Sequence, residues 1–395
     1  MRLAPLNITA YTATCAAGAG RAALLQALRA RASGLTPNDF TATPLATSIG
    51  RVPQLEQQPL PGEFAMWECR NNRLAWQGLA QDGFRERVAA ARARYGAGRI
   101  AVVLGTSTSS IGATEEGYRR LGSDGQYPPE LRRPIVHTPH SLGDFVQRAL
   151  GLEGVCATVA TACSSSAKAF AHAERLIRMQ LADAAVVGGT DSLCGSVLYG
   201  FNSLELTSRE PCRPFDVRRD GISLGEAAGF ALLERAGEGP WLLGYGESSD
   251  AHHMSSPHPQ GVGARLALEA ALSSAALPAQ AIDYINLHGT ASRKNDEIEG
   301  AVVAELFPAR TRASSTKGWT GHTLGAAGIV EAVITLLALE HALAPGTLNC
   351  RELDPACGPQ ILRDNEERAL EFALSNSFGF GGSNCVLAFG RSRPH

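Results

Sequence analysis

One cysteine lies where a strand-like run meets the start of a helix. Cys163 follows the apolar segment 159–162 and precedes three serines, at which a helix should begin. A cysteine at a helix N-terminus feels the positive end of the helix dipole and free N–H groups, which favour the nucleophilic thiolate. Taken alone the pattern is more typical of a buried structural cysteine, because free cysteines are commonly buried. The position still suggests a nucleophile held on a sharp turn.

Two histidines follow strand-like or small-residue segments further along the chain. His288 comes directly after the strand-like segment 284–287, which would place its imidazole at a cleft, although a loop histidine bonded to its neighbours fits equally well. Lys317 precedes His322 by five positions, and small residues follow before a helix. Lys317 is alternatively a solvated surface lysine.

A glycine-rich turn occupies positions 375–384. Three glycines surround Phe378 and Phe380, so the turn could present backbone N–H groups and a movable aromatic ring. It lacks the lysine and the spacing of a nucleotide phosphate loop, which excludes that interpretation.

The elements that must position these residues alternate between strands and helices. The pattern predicts strands at 100–104, 184–189, 229–233 and 385–389, and helices at 164–181 and 328–341. The helix at 328–341 is so apolar that it should be buried. Such alternation indicates an α/β fold. A composition break at 236–240 predicts two halves, 1–236 and 237–395.

Composition narrows the functional class. The 395 residues are 44% hydrophobic with a formal net charge of -2, which gives no reason to expect a nucleic-acid partner. The nine cysteines are scattered without a C-x-x-C pair, so neither a zinc site nor a disulfide framework is expected, and free thiols suit the cytoplasm. The N-terminus is a poor signal peptide, and we expect no membrane insertion.

Taken together, the four segments resemble the elongating β-ketoacyl-acyl-carrier-protein synthases, which are condensing enzymes of the thiolase superfamily. The segments at 213–221, 225–229 and 244–257 agree, and the likeness runs from about residue 105 to 390. The resemblance implies a thiolase-like, five-layered αβαβα fold of two similar halves. The first half would carry the cysteine and the second both histidines.

The family assigns roles to matching positions. Cys163 would accept the acyl chain, and His288 and His322 would complete a Cys-His-His set. Lys317 and Glu299 match a supporting charged pair near the second histidine. This histidine favours the elongating class, because initiating synthases resemble Cys-His-Asn and degradative thiolases Cys-His-Cys.

Other matches would surround the substrate. The N–H groups of Cys163 and Phe380 match the oxyanion hole, and Phe380 also matches a gating aromatic. Hydroxyls of Thr290 and Ser292 would flank the malonyl group. Two further supporting candidates are Phe378 and Asp296, and Thr108 falls where the family lines its acyl pocket.

The implied reaction is a decarboxylative Claisen condensation. An acyl chain on the cysteine would be joined to a malonyl unit, with both substrates delivered on the phosphopantetheine of an acyl carrier protein and with no metal or redox cofactor. The family is usually homodimeric, and a heterodimer with a related subunit is also expected. Arginines that could contact the acidic carrier are Arg70, Arg73, Arg132, Arg133 and Arg209.

Departures from the family pattern leave several biosynthetic pathways as candidates. Segment 7–14 lacks the usual glycine, and 292–296 replaces a Thr-Pro-containing turn. Fatty-acid, aryl-polyene and polyketide assembly therefore all remain candidates. Two alternative functions are a non-catalytic, chain-length-factor-like partner subunit and a thiolase-like enzyme that works with coenzyme A. A cysteine at position 163 argues against the first.

Overall fold

The computed structural model describes residues 3–393. Its strands are β1 (Leu6–Cys15), β2 (Gly18–Ala19), β3 (Thr36–Pro37), β4 (Ser48–Gly50), β5 (Ile100–Gly105), β6 (Cys156–Val159), β7 (Ala184–Asp191), β8 (Leu224–Gly225), β9 (Ala227–Glu234), β10 (Trp241–Ser249), β11 (Tyr284–Asn286), β12 (Arg312–Ser314), β13 (Leu343–Ala344), β14 (Glu366–Glu367), β15 (Phe372–Gly379) and β16 (Ser383–Gly390). Its α-helices are α1 (Gly20–Ala30), α2 (Arg70–Leu79), α3 (Phe84–Tyr95), α4 (Ile111–Arg119), α5 (Ser141–Leu150), α6 (Ser165–Arg178), α7 (Gly195–Ser203), α8 (Val262–Ala275), α9 (Arg293–Leu306), α10 (Lys317–Thr320) and α11 (Ala327–His341).

The main sheet consists of two five-stranded halves joined along a short seam. Its order is β12-β11-β15-β16-β10-β1-β9-β7-β5-β6. At the seam β1 and β10 share only the pairs Leu6↔Leu242 and Asn7↔Trp241, whereas each pairs at length with its other neighbour. The linker between β9 and β10 contains the composition break at 236–240.

Helices cover both halves of the sheet, which produces five layers. Helices α2, α3 and α5 pack on the outer face of the first half, and α8 and α9 pack on that of the second. Helices α6 and α11 lie between the halves. Alternate residues of β5 serve the two faces: Val102 contacts the outer helices, and Val103 contacts the central pair. The predicted thiolase-like αβαβα fold is confirmed.

The predicted secondary structure agrees with β5, β7, β9, β16, α6 and α11. Segment Leu324–His341 is long and apolar enough to cross a membrane, but 89% of it is buried inside the fold. It therefore belongs to the protein core. A Cβ at Gly328 would lie only 2.6 Å from the backbone nitrogen of Ala167, which explains why small residues open α11 where it meets α6.

Candidate active site

The turn between β6 and α6 carries the candidate nucleophile. Cys163 lies two residues before Ser165, where α6 begins, and is only 4% exposed. The preceding residue, Ala162, has a positive φ of 52°, a conformation that costs free energy for a residue other than glycine and often occurs at functional sites. The strained turn holds the sulfur at the helix N-terminus.

The two histidines converge on this sulfur from the other half of the chain. Nε2 of His322 lies 3.0 Å from Sγ of Cys163. The rings of His288 and His322 have centroids 5.3 Å apart and are nearly perpendicular, at 87°. All three side chains are buried, so a reactant that contacts the sulfur can also contact both imidazoles.

Burial sets the protonation state of the thiol. Desolvation raises the pKa of Cys163 to about 11, although the Lys317 cation and the backbone N–H of Phe380 both act to lower it. The sequence had suggested that the helix N-terminus would favour a thiolate. In the free protein the removal of the sulfur from water outweighs these favourable charges, so the pKa of the thiol lies above its usual value.

Burial also keeps both imidazoles neutral. Desolvation lowers the pKa of His288 and His322 well below 6.5, and the Lys317 cation adds to the effect at both rings. Nζ of Lys317 lies 3.4 Å from Nδ1 of His288. Because an ammonium can only donate, Nδ1 must accept, which places the His288 proton on Nε2. Lys317 thus selects the tautomer that can donate a hydrogen bond to a reactant.

The partner of Lys317 is Glu331 on α11, a residue that sequence reasoning missed. Nζ of Lys317 is hydrogen-bonded to Oε1 of Glu331 and to the backbone oxygen of His288. The expected pair with Glu299 near the second histidine is wrong. Glu299 instead accepts the backbone N–H groups of His288 and Gly289, each at 2.8 Å, and so anchors the first histidine's turn.

The glycine-rich turn packs directly on the nucleophile turn. A Cβ at Gly379 would lie 2.9 Å from the carbonyl oxygen of Thr161, so a side chain there would disrupt the contact. The backbone N–H of Phe380 approaches the Cys163 sulfur. The Phe380 ring stacks on Phe201 of α7, with centroids 5.4 Å apart. This places one N–H donor and one aromatic ring beside the thiol, as the sequence predicted.

These groups share one cavity of about 490 Å³. Cys163 and both histidines lie in its wall together with Phe378 and Phe380. The cavity combines a buried thiol, two neutral imidazoles and a backbone donor, which are the groups that acyl transfer through a covalent thioester requires.

Comparison with known proteins identifies the family. Residues 71–238 match the N-terminal domain of β-ketoacyl synthases, and residues 241–351 match the C-terminal domain.

The chain belongs to the β-ketoacyl synthase family.

Three relatives show the range of this likeness. The synthase is 34% identical over 304 residues to nodulation protein E of Rhizobium meliloti (strain 1021), which covers 74% of this chain and 75% of the relative. It is 34% identical to 3-oxoacyl-[acyl-carrier-protein] synthase 2 of Vibrio cholerae, covering 75% of this chain and 76% of the relative. A ketosynthase (ApeO) from Xenorhabdus doucetiae, solved in complex with its chain length factor (ApeC), has a TM-score of 0.90 and 37% identity over 98% of both chains. Members of this family are condensing acyltransferases.

Other predicted site residues of the synthase occupy distinct positions. The hydroxyls of Thr290 and Ser292 lie 2.9 Å apart in the cavity wall. Asp296 is fully buried below this segment and accepts the backbone N–H groups of Phe215 and Ala291. Burial raises the Asp296 pKa to about 6. Asp296 therefore shapes the loop, and Thr290 and Ser292 can contact a substrate.

Thr108 lies outside the wall of the catalytic cavity, and its place in an acyl pocket remains a prediction. Its hydroxyl donates to Asp191 at 2.8 Å, and its backbone N–H donates to the same carboxylate at 2.9 Å. Asp191 also accepts the N–H of Gly325 at 2.7 Å, three residues after His322. Thr108 thus belongs to a buried network that joins the two halves.

Two of the five arginines are held by internal partners. Arg70 forms a buried ion pair with Glu226 through Nε at 2.9 Å, and Arg73 pairs with Glu68. Both side chains are half-buried and already paired, and their contact with a carrier remains a prediction. The other three predicted arginines lie on the surface or donate to backbone carbonyls: Arg132, Arg133 and Arg209.

The catalytic cluster also contains potential metal ligands. Sγ of Cys163 and one ring nitrogen of each histidine lie within 4.8 Å of one another. Thiolate and imidazole are both zinc ligands, so the donor types fit a metal ion. The adjacent Lys317 cation opposes a second positive charge there. The sequence expectation of a metal-free reaction remains a prediction.

Proposed function

We propose that this synthase transfers an acyl chain from an acyl carrier protein to Cys163 and then condenses it with malonyl-acyl carrier protein. The observation that carries the proposal is the 3.0 Å contact between Cys163 and His322, with His288 beside it in one cavity. A neutral imidazole next to a neutral thiol is suited to proton transfer as the thiol attacks a thioester.

In the first step the sulfur of Cys163 attacks the carrier thioester while its proton passes to Nε2 of His322. The carrier thiolate leaves and takes that proton, so the histidine is neutral again. The tetrahedral oxyanion accepts hydrogen bonds from the backbone N–H groups of Cys163 and Phe380. In other enzymes the loss of one such donor costs about 2.7–4 kcal/mol.

In the second step malonyl-carrier loses carbon dioxide, and the electron pair moves onto its thioester oxygen. His288 donates its Nε2 proton in a hydrogen bond to that oxygen. His322 provides a second donor after its ring proton has moved from Nδ1 to Nε2 by exchange with water between the two steps. The enolate carbon then attacks the acyl thioester on Cys163, the new ketone forms as the Cys163 thiolate leaves, and the thiolate takes a proton from water. As proposed, these steps use no metal or redox cofactor.

Intact mass spectrometry tests this function. The purified chain is incubated with a panel of acyl-carriers, and Cys163 should gain the mass of the acyl group, whereas Cys163→Ala should not. Adding malonyl-carrier should then give a product two carbons longer. Condensation with malonyl-CoA or acetyl-CoA, but not with malonyl-carrier, would instead favour the coenzyme A-dependent alternative.

The synthase is further proposed to be the catalytic member of a pair of related chains. Strand β6 is at the edge of the main sheet and pairs only with β5 among the described strands. Its four residues are uncharged and half-buried, which is unusual for an unprotected edge. The ApeO ketosynthase, which was solved with a chain length factor, is the relative that favours a heterodimer over a homodimer. Sedimentation distinguishes a homodimer from a heterodimer. It is measured on the chain alone and on the chain co-expressed with a relative that lacks the catalytic cysteine.

We also propose which arginines bind the carrier, in which compartment the reaction takes place and which pathway it serves. Arg132, Arg133 and Arg209 contact the acidic carrier, and the reaction takes place in the cytoplasm, where nine free thiols remain reduced. Aryl-polyene or polyketide assembly is proposed over primary fatty-acid synthesis, because the ApeO and ishigamide ketosynthases, two solved neighbours, were each solved with a chain length factor. Faster acylation of Cys163 by polyunsaturated than by saturated acyl-carriers would support this assignment, and the opposite preference would contradict it.

A further inference from the structure

Two basic side chains lie in the wall of the catalytic cavity without a role in the chemistry above. Arg293 and Lys294 are exposed, and both contribute to the cavity that contains Cys163. Within residues 3–393 neither forms an ion pair with a carboxylate, whereas Arg219 directly beneath them is buried and paired with Asp354. Two charges are therefore available to an anion that enters the cavity.

The backbone below these side chains is held firmly. The carbonyl of Arg293 accepts a hydrogen bond from the buried Arg219 at 3.1 Å. The side chain of Asn295 donates to Asp296 at 3.1 Å and to Glu299 at 3.3 Å. The segment is thus tied to the same carboxylate that anchors the His288 turn, and its distance from the catalytic residues is set by the fold.

The two charges also stand where they are unfavourable in the free protein. Arg293 and Lys294 are the first two residues of α9, at the positive end of its dipole. Among residues 3–393 no carboxylate of the cavity wall is ion-paired with either cation: Asp250 accepts from Asn384 at 2.7 Å, and Asp220 accepts from Ser208 at 2.6 Å. The remaining acid of the wall, Glu205, is exposed on the segment before Ser208. A bound anion at this end of α9 would be favoured by the helix dipole as well as by the two cations.

We propose that Arg293 and Lys294 bind the phosphate group of the pantetheine arm while its sulfur end reaches Cys163. The inference rests on the proposed function, because only a pantetheine-linked substrate carries a phosphate at the far end of an arm that enters this cavity. Charge-assisted hydrogen bonds from two cations to one phosphate are strong and directional. The pair would therefore set the depth to which the arm enters.

Protection of Cys163 from alkylation measures this binding without any condensation. Iodoacetamide labels the protein in the presence of pantetheine, 4′-phosphopantetheine or coenzyme A, each used as its S-methyl thioether so that no free thiol consumes the reagent, and mass spectrometry follows the Cys163 peptide. We expect 4′-phosphopantetheine to protect at about a tenfold lower concentration than pantetheine, as charge-assisted bonds to one phosphate suggest. Arg293→Gln/Lys294→Gln should abolish this difference. Arg29→Gln/Arg391→Gln, which removes the same charge from exposed positions outside the cavity wall, should retain it.

The outcomes separate this inference from the proposed function. Equal protection by pantetheine and 4′-phosphopantetheine in the wild type, or a phosphate preference that survives in the cavity variant, would overturn it. Loss of the preference in the control variant as well would assign the effect to net charge and would also overturn it. A preference for coenzyme A alone would identify the nucleotide phosphates as the ligand and contradict recognition of the arm. Failure of condensation with intact phosphate-dependent protection would count against the proposed function only.

Discussion

Sγ of Cys163 lies 3.0 Å from Nε2 of His322, although 159 positions separate the two residues in the chain. The contact crosses from one half of the fold to the other. Burial raises the pKa of the thiol and lowers that of the imidazole, so the pair is neutral before substrate arrives. Proton transfer within this pair should accompany attack on the thioester.

Replacing either histidine should slow decarboxylation of malonyl-carrier. Because each imidazole is proposed to stabilise charge on the thioester oxygen, His288→Ala and His322→Ala should each lower kcat by about 10²–10³. Release of carbon dioxide measures this step, and His341→Ala, at an exposed position on α11, is a suitable control. A variant at either position that keeps the wild-type rate would remove that histidine from the mechanism.

Removing one member of the Lys317–Glu331 ion pair should destabilise the protein more than replacing both members. Lys317→Met leaves the carboxyl of Glu331, which is 3% exposed, without its cation. Breaking a buried pair typically costs about 3–5 kcal/mol, whereas replacing both partners by apolar residues is often close to neutral. Urea denaturation should therefore show a large loss for Lys317→Met and recovery in Lys317→Met/Glu331→Leu. The double variant should stay catalytically slow, because the His288 tautomer is no longer selected. A single variant that loses less than about 1 kcal/mol would show that the pair is not desolvated.

Alkylation of Cys163 should accelerate steeply with pH. Since its pKa is raised to about 11, the thiolate fraction should grow about tenfold for each pH unit between 7 and 10. Quantifying the iodoacetamide-modified Cys163 peptide across this range gives the profile. Lys317→Met should shift the profile to higher pH, because the lysine cation lowers the thiol pKa. A plateau already reached near pH 7 would instead indicate a stable thiolate.

The neutral histidines should make the fold sensitive to acid. Their folded pKa values are depressed well below 6.5, so the stability they contribute is present above pH 6.5 and is lost as the pH falls and the unfolded chain takes up protons. Between pH 7.5 and 5.0 each should cost about 2 kcal/mol of unfolding free energy. Urea denaturation of the wild type and of His288→Asn/His322→Asn at both pH values isolates this contribution. Parallel losses in both proteins would contradict it.

Much of the fold could be read from the sequence because the local patterns agree with it. The apolar run at 100–104 forms β5, and the unusually apolar segment at 328–341 forms the buried helix α11. The order of the cysteine, the two histidines and the glycine-rich turn was enough to place the chain in its family. Strands, helices and short motifs depend on residues that are close together in the chain, so the sequence shows them directly.

Only the tertiary structure decided which charges meet and what burial does to them. Glu299 and Glu331 lie at similar sequence distances from Lys317, and it is the packing of α11 that brings Glu331 to the lysine. Arg70 resembles a surface arginine in the sequence, yet the fold pairs it with a buried carboxylate. The thiol of Cys163 is protonated because its desolvation exceeds the opposing effects of Lys317 and the Phe380 N–H. Desolvation and ion pairing depend on distances across the fold, which local patterns do not contain.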